Sequence, residues 1–365
     1  MRKLFVIMGI VAFFSACEKS SSPDVDVTDV LISTDWLAIT DSETVTISAR
    51  TFDGGTSVNA PIIWKTSDAQ VATVSGGAVS GRGDGVALIT AEAGGVESEP
   101  CSVHVAGEWI VYSGAESLRM ITPDNTRDMA VPGTFPAELP ILRLPTGIVY
   151  AGAADITPYS YLLFRPFDGD STERVFADRI EPIRDIRRSP SGNILLSKFG
   201  GNAIYSFPSA RGLSGEIDDY IALAFDGVDI REFDVSPSGG YIVDATTPVG
   251  PRMLFLSATG APLDTLITTN GRCPRFSPDG SKVAYGSSAR LWIADVATLV
   301  RSELLSEGLA IEGLSWSPDG ARIAICVRNP LGKYDLWIGN TTTGATQRLT
   351  NAEPADKRYF PHWAD

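Results

Sequence analysis

Short runs that alternate apolar and polar residues fill the chain from about residue 30 onward, and turns rich in glycine, proline, serine and aspartate separate them. Alternation with a period of two over four to eight residues is typical of half-buried β-strands, as at Cys101-Ser102-Val103-His104-Val105, and short runs of β-forming residues such as Val283-Ala284-Tyr285 also indicate strands. The 3.6-residue period of an amphipathic helix does not show in this region. The pattern therefore predicts an all-β protein.

A Ser-Pro-Ser/Asp-Gly signature recurs four times, and its prolines stand at positions 190, 237, 278 and 318. Each interval holds four short apolar runs, which is typical of the blades of a β-propeller. Proline presets the turn dihedral, and glycine two positions later allows positive φ. We expect Asp279 and Asp319 to hydrogen-bond the backbone of their own turns instead of forming a ligand site.

Two incomplete copies of the repeat lie at the ends of this region. The copy that begins at Gly107 lacks its first strand, whereas Tyr359–Asp365 resembles the start of a repeat that goes no further. A closed ring, in which the C-terminal strand completes the first blade, explains both and leaves no open sheet edge. The sequence thus predicts a six-bladed propeller over residues 107–365. Its blade markers are Gly107, Gly147, Gly192, Gly239, Gly280 and Gly320.

These Ser-Pro-Asp-Gly units resemble the PD40 (WD40-like) repeats of TolB-like six-bladed propellers, over about residues 107–365. The resemblance is specific in the last two full repeats and looser in the first two. It implies a mostly non-catalytic platform that binds other proteins.

Residues 30–106 have a different sequence pattern, in which Gly-Gly pairs separate short runs of alternating apolar and polar residues. Their number and size suit a small β-sandwich. The stretch from Trp64 to Ala91 resembles the group 2 bacterial immunoglobulin-like (BIG2) domain. This resemblance implies a spacer, or sometimes a binding unit, as in surface adhesins, and we expect Trp64 to pack between the two sheets of an Ig-like sandwich.

The first 17 residues read as an export signal: Arg2 and Lys3, an apolar run too short to span a bilayer, then small residues before Cys17. The end of this segment resembles a bacterial lipobox, which implies a signal peptide over 1–16, lipidation of Cys17 and a tether over 17–29. Glu18 favours an outer-membrane lipoprotein of the cell envelope, on its periplasmic or its surface face. A plain secretory signal is the alternative.

The chain is acidic, with a net charge of −14. Removal of the signal takes away two positive charges and makes it −16. Because this field repels phosphates, nucleic acid is excluded as a partner. We expect contact with the membrane through the lipid anchor alone, and a partner that is an envelope protein or a small anionic ligand.

One position in the repeat suggests a binding site. Six residues before the turn proline stand Arg184, Arg231 and Arg272 in three consecutive repeats, with Glu312 in the next and Arg358 one place off. Equivalent inner-strand positions of a propeller meet at one mouth of the central channel. The hypothesis is a ligand-binding arginine patch for a carboxylate, phosphate or acidic peptide.

The alternative interpretation is that each of these arginines pairs with a neighbouring acid such as Asp185 or Glu232. A second arginine position, three residues before proline, holds Arg187 and Arg275.

Catalytic signatures are missing from the sequence: it has no HExxH, GxSxG, Walker or CxxC motif. Its two histidines, His104 and His362, each lie on a predicted strand, and His362 is interpreted as structural. We therefore expect no enzyme activity, no cofactor and no metal. Cys101 is expected to be buried, whereas Cys273 and Cys326 could form a disulfide in an oxidising compartment.

Two other functions stay open. A lyase or hydrolase that uses the propeller channel, with Ca²⁺, would depend on Asp185, Glu232, Asp234 and Glu312. A glycan-binding adhesin would need an exposed aromatic platform, whereas Trp292, Trp316 and Trp337 recur at core positions.

Overall fold

The computed structural model describes residues 25–135, 141–153, 159–169, 171–176, 180–211, 213, 215–269, 271–306, 308–350 and 360–364. Cys17 and the predicted signal peptide lie outside these residues. In the described part the regular structure is β, apart from one 3-10 turn at Ile217–Tyr220. No helix among these residues is long and apolar enough to cross a membrane.

The N-terminal unit consists of three small sheets. Its strands are β1 (Asp29–Ile32), β2 (Trp36–Thr40), β3 (Thr44–Thr46), β4 (Ala49–Asp53), β5 (Thr56–Val58), β6 (Ile63–Thr66), β7 (Ala72–Ser75), β8 (Ala78–Gly81), β9 (Gly85–Ala93), β10 (Val96–Glu97) and β11 (Cys101–Ala106). The sheet orders are β1-β4-β5, β3-β8-β7 and β10-β9-β11-β2, with β6 beside β9. Cys101, Val103 and Val105 on one face of β11 are fully buried, and Trp64 is half-buried against the same core.

The rest of the described chain forms six antiparallel sheets of four strands each. The first two contain β12 (Ile110–Ser113), β13 (Leu118–Ile121), β14 (Asp128–Ala130), β15 (Ile141–Leu144), β16 (Gly147–Ala153), β17 (Ser160–Pro166) and β18 (Glu173–Arg174). The next two contain β19 (Ile183–Arg188), β20 (Ile194–Lys198), β21 (Ala203–Phe207), β22 (Ile221–Ala224), β23 (Asp229–Val235), β24 (Tyr241–Thr247), β25 (Gly250–Leu256) and β26 (Pro262–Ile267). The last two contain β27 (Arg272–Phe276), β28 (Lys282–Ser287), β29 (Arg290–Asp295), β30 (Arg301–Leu305), β31 (Ala310–Trp316), β32 (Arg322–Arg328), β33 (Tyr334–Asn340) and β34 (Thr346–Arg348). The fourth strand of the first sheet is β35 (His362–Trp363).

The innermost strands of these sheets contact one another in a closed circuit, β15-β19-β23-β27-β31-β35 and back to β15. The circuit closes because β35, near the C-terminus, pairs with β12 and becomes the innermost strand of the first sheet. Sequential sheets therefore surround a common axis, and their innermost strands line it.

The signature turns join the first and second strands of a sheet. The glycines at 192, 239, 280 and 320 all have positive φ, as the turn requires. Asp279 Oδ1 accepts hydrogen bonds from Ser281 N at 3.0 Å and Ser277 Oγ at 2.5 Å, and Asp319 repeats the pattern. These bonds lower the pKa of Asp279 to about 2. The structural interpretation of both aspartates is confirmed.

The N-terminal unit packs directly against the first two sheets of the ring. Trp109 Nε1 donates to the carbonyl of Ile39 at 3.0 Å, and Arg143 Nη2 donates to the carbonyl of Ala38 at 3.2 Å and to Glu43 Oε2 at 2.5 Å. One continuous apolar core runs from the N-terminal strands into these two sheets. The N-terminal unit is therefore fixed to the ring by hydrogen bonds and a shared apolar core, unlike a spacer that is joined by a flexible linker alone.

The three cysteines in the described residues are buried, and none of them forms a disulfide. The disulfide considered for Cys273 and Cys326 is thus not formed.

Candidate functional site

A β-bulge recurs near the start of the inner strands. The register shifts between Ile183 and Asp185, between Ile230 and Glu232, and between Ile311 and Gly313; β27 has a wider shift between Arg272 and Arg275. A bulge leaves residues out of the ladder and re-aims their side chains. The repeated position six before the turn proline is the residue left out of the ladder at Arg184, Arg231 and Glu312, and at Arg272 it is the last paired residue before the wider shift. Its side chains therefore gather at one end of the ring.

The three predicted arginines lie in one charged neighbourhood, and each has an acid partner. Arg184 Nε donates to the carbonyl of Arg231 at 3.2 Å, and its Nη2 lies 3.8 Å from Glu232. Arg231 Nη2 lies 2.6 Å from Asp244 Oδ1. Arg272 Nη1 lies 2.7 Å from Glu312, which also binds Arg328 at 3.0 Å. These contacts are those of the ion-pair interpretation, and the ligand-binding role stays a prediction.

We call this end the arginine mouth; it consists of Arg184, Arg231, Glu232, Asp244, Arg272, Glu312 and Arg328. Its acids are sequestered, since the side chains of Asp244 and Glu312 are only 2% and 4% exposed, whereas that of Arg272 is 50% exposed. Burial raises the pKa of Asp244 to about 7, against the opposing effect of Arg231. The surface at this mouth is therefore dominated by guanidinium groups.

Exposed apolar side chains surround the arginine mouth. They stand at the tips of the hairpins between the second and third strands of three sheets: Phe199 at 64% exposure, Val249 at 74% and Leu331 at 82%. The register places these tips beside the starts of β19, β23 and β31. The Arg184 guanidinium lies 5.7 Å from the centre of the Phe199 ring.

The opposite end of the ring contains a cavity of about 280 Å³ on the side of the signature turns. Each of the six sheets contributes to its wall the residue three places before the turn proline, or the residue aligned with it. These residues are Leu142, Arg187, Asp234, Arg275, Ser315 and His362. We call this space the central cavity.

A buried ion-pair network holds the arginines of the central cavity. Asp185, which is 1% exposed, lies 2.7 Å from Arg187 Nη2 and 3.4 Å from Arg275 Nη1. Asp234 lies 3.7 Å from Arg187 Nε and accepts a hydrogen bond from Phe276 N at 2.7 Å. Burial raises the pKa of both carboxyls, that of Asp234 to about 7, although Arg187 acts in the other direction.

The repeat of Arg187 and Arg275 is visible in the sequence, but their place in the propeller could not be predicted from it. The signal that would have found the cavity was the same alignment carried into the weak copies, where it reaches Leu142 and His362. His362, interpreted from sequence as structural, lines this cavity.

The four acids that a Ca²⁺-dependent enzyme would use are split between the two ends of the ring. Asp234 lines the cavity, and Asp185 pairs with Arg187 and Arg275 of its wall, whereas Glu232 and Glu312 belong to the arginine mouth. Each of the four acids lies within 4 Å of an arginine. Among the described residues, no group of three or more His, Cys, Asp or Glu side chains could hold a metal ion.

No family model matches this sequence. No curated protein matches it either. Solved structures do: TolB from Acinetobacter baumannii is 16% identical with a TM-score of 0.53, and the match covers 77% of this chain and 80% of that one. A chain of a Nidogen/Laminin complex is 9% identical with a TM-score of 0.55, over 71% of this chain and 98% of that one.

A TolB candidate from Agrobacterium tumefaciens is 19% identical with a TM-score of 0.42, and the match covers 50% of this chain and 66% of the other. At such identities the likeness concerns the fold alone. Together with the closed circuit of sheets, it shows that this all-β chain contains a β-propeller like that of TolB proteins.

Proposed function

We propose that the protein is a non-enzymatic binding platform of the bacterial cell envelope, which holds a protein partner at the arginine mouth. In this proposal the six sheets are the six blades of a TolB-like propeller, and the N-terminal unit is an Ig-like domain. Cys17 carries the lipid that anchors the chain to the outer membrane. The TolB-like fold supports a protein-binding role, since such propellers mostly serve as platforms.

The observation that carries the proposal is the arrangement of the arginine mouth itself. Interface hot spots combine arginine and aromatic side chains at a centre from which water is excluded. Here Arg184 and Arg272 lie at the centre, while Phe199, Val249 and Leu331 stand exposed around them. Exposed apolar side chains at three corresponding hairpin tips provide the apolar surface that a partner would bury.

The charges at this mouth indicate the chemistry of the partner. The chain as a whole carries a net charge of −14, so an acidic partner is repelled by most of the surface and attracted by the guanidinium groups of this mouth. Arg272 is half-exposed, and it can contact a partner's carboxylate while Glu312 keeps its bond to Arg328. The expected partner is an envelope protein that presents a carboxylate beside an apolar side chain.

Crosslinking in intact cells, followed by capture of the tagged protein, tests this proposal. The double variant Phe199→Ser/Leu331→Ser removes apolar tips at the arginine mouth. Its matched control is Leu263→Ser/Val300→Ser, which removes side chains that are 68% and 70% exposed on the turn side of the sheets. We expect one specific crosslinked partner that the first variant loses and the control retains.

A second pair of variants tests the charge. Arg272→Ala should weaken capture at least tenfold, because a charge-assisted contact is worth about 1.5–3 kcal/mol. Arg211→Ala is the control, since Arg211 is 41% exposed and ion-paired to Asp168 away from the mouth. A partner captured equally by all four variants would contradict the site, and the absence of any specific partner would contradict the platform.

A further inference from the structure

We propose that the central cavity is a second binding site, separate from the arginine mouth, and that it takes up a small organic carboxylate together with one proton. This inference does not depend on the protein partner proposed above, because it concerns the other end of the ring.

The shape and walls of the cavity suit a small amphipathic molecule. A volume of about 280 Å³ lies just below the range of drug-sized pockets, so it accommodates a ligand of roughly ten non-hydrogen atoms. Leu314, Phe276, Trp316 and Trp363 supply apolar and aromatic surface on one side. Small-molecule sites typically combine such walls with a few convergent polar groups.

The polar groups of the cavity favour an anion. Three guanidinium groups reach it, those of Arg187, Arg188 and Arg275, against the carboxyls of Asp185 and Asp234. Among the described residues, no acid lies within ion-pair distance of Arg188, and the buried Nε atoms of Arg187 and Arg275 have no hydrogen-bond acceptor. Unused donors on buried guanidinium groups are well matched to a carboxylate.

Asp234 competes with such a ligand. Its carboxylate lies beside Arg187 and adds negative charge to the wall of the cavity. When it is protonated, Arg187 is released from this contact and the net charge of the cavity rises by one. Because burial raises the pKa of Asp234 to about 7, this change occurs close to neutral pH.

The other charged groups that face Asp234 come from three strands. They are Asp185, Arg187 and Arg188 on β19, Arg275 on β27 and His362 on β35. The arginines stay charged throughout this range, and protonation of Asp185 or His362 would favour an anion in the same direction. The variants below separate these groups from Asp234.

Apparent affinity should follow the fraction of Asp234 that is protonated. For a group that titrates near pH 7, this fraction increases about tenfold between pH 8 and pH 6, and the affinity should increase by about the same factor. Binding above pH 7 should also take up a proton from solution, which is visible as a buffer-dependent heat.

Isothermal titration calorimetry of the full chain with phenylacetate and succinate at pH 6, 7 and 8 measures both effects. Phenylacetamide is the matched neutral control. We expect at least one acid to bind with the pH dependence above, and the amide not to bind. Saturable binding of neither acid at pH 6, or equal binding of the amide, would overturn the proposal.

Three variants identify the groups. Asp234→Asn, which keeps an acceptor for Phe276 N, should bind at pH 8 as tightly as the wild type does at pH 6 and lose the pH dependence. Arg188→Gln should weaken binding about tenfold without changing that dependence. His362→Gln should retain the dependence; if it is lost there and kept in Asp234→Asn, the assignment to Asp234 is wrong. Arg272→Ala should bind the acid normally, which separates this site from the arginine mouth.

Discussion

Trp363 lies opposite Ile110 in the antiparallel pair β12–β35, and its residue surface is only 1% exposed. Its backbone N donates to Ser315 Oγ of the last sheet at 2.9 Å. The guanidinium of Arg322, also from the last sheet, lies 5.0 Å from the centre of its ring. One tryptophan near the C-terminus therefore joins the first sheet to the last and closes the ring.

Trp363→Ala should destabilise the whole protein, because it removes a buried aromatic side chain at the only junction where the two ends of the ring circuit meet in the described chain. Core substitutions of this kind cost about 3–5 kcal/mol in the free energy of unfolding. Urea denaturation, followed by tryptophan fluorescence and circular dichroism, measures this loss in the free energy of unfolding.

The matched control is Trp292→Ala, since Trp292 is half-buried, lies away from the closing strand β35 and stacks with Arg301. A smaller loss is expected there. Equal losses in the two variants would contradict a special role for the closing strand.

Arg143 and Glu43 form a buried ion pair between the ring and the N-terminal unit, with side chains that are 3% and 13% exposed. Removal of one partner leaves the other charge buried, which costs about 3–5 kcal/mol. Arg143→Met should therefore destabilise strongly, whereas Arg143→Met combined with Glu43→Gln should cost less than the sum of the single changes.

Scanning calorimetry of the wild type and of these Arg143 and Glu43 variants, which form a double-mutant cycle, adds a second readout. Because one core runs through both units, the wild type should unfold in a single transition. Two separate transitions, with an additive cycle, would indicate that the N-terminal unit is an independent spacer.

Much of the architecture could be predicted from sequence because it is periodic. The spacing of prolines 190, 237, 278 and 318 marks successive four-stranded units, and the fragment at Pro361-His362-Trp363 lacked a partner unless it returned to the first copy. Local turn chemistry was equally readable, since Asp279 and Ser277 meet within one turn. Sequence periodicity reports what each unit shares.

The details of the site depend on what the units do not share. The bulges at Arg184 and Arg231 decide that these side chains reach acids such as Glu232 and Asp244, and no sequence signal marks a bulge there. The contact of Arg143 with Glu43 joins residues of two unrelated segments, so no repeat could indicate it. The central cavity could not be predicted from the repeat because the residues at its six equivalent positions are chemically different from one another.

Stability should depend on pH through the buried acids of the arginine mouth. Burial raises the pKa of Asp244 to about 7 in the folded protein, whereas an unfolded aspartate titrates near 3.9. The folded state therefore binds this proton more tightly, so the contribution of Asp244 is fully present below about pH 4 and is lost as the pH rises to about 7.

Asp244→Asn should remove this contribution while keeping an oxygen beside Arg231. We expect the free energy of unfolding, measured in urea from pH 5 to pH 8, to decrease less steeply with pH in the variant, by at most about 1.4 kcal/mol per pH unit. Asp279→Asn is the control, because the pKa of about 2 makes the contribution of Asp279 fully present above about pH 4, so its profile between pH 5 and pH 8 should stay parallel to that of the wild type. Parallel profiles for the wild type and Asp244→Asn would contradict the assignment.

The thiols at Cys101, Cys273 and Cys326 form no disulfide, and they should be unreactive in the folded protein because all three are buried. Burial and nearby carboxylates raise the pKa of Cys273, which further suppresses its thiolate. Titration with a disulfide reagent at pH 8 should label none of the three in the native state and all three in urea, even when the protein is purified from an oxidising compartment.

A Cys273–Cys326 disulfide would instead leave only Cys101 to react after unfolding, and mass spectrometry of the unreduced protein would show the linked peptides. Cys273→Ser gives the matched count: labelling in urea should fall from three of these thiols to two if no disulfide exists, but rise from one to two if Cys273 is bonded to Cys326 in the wild type.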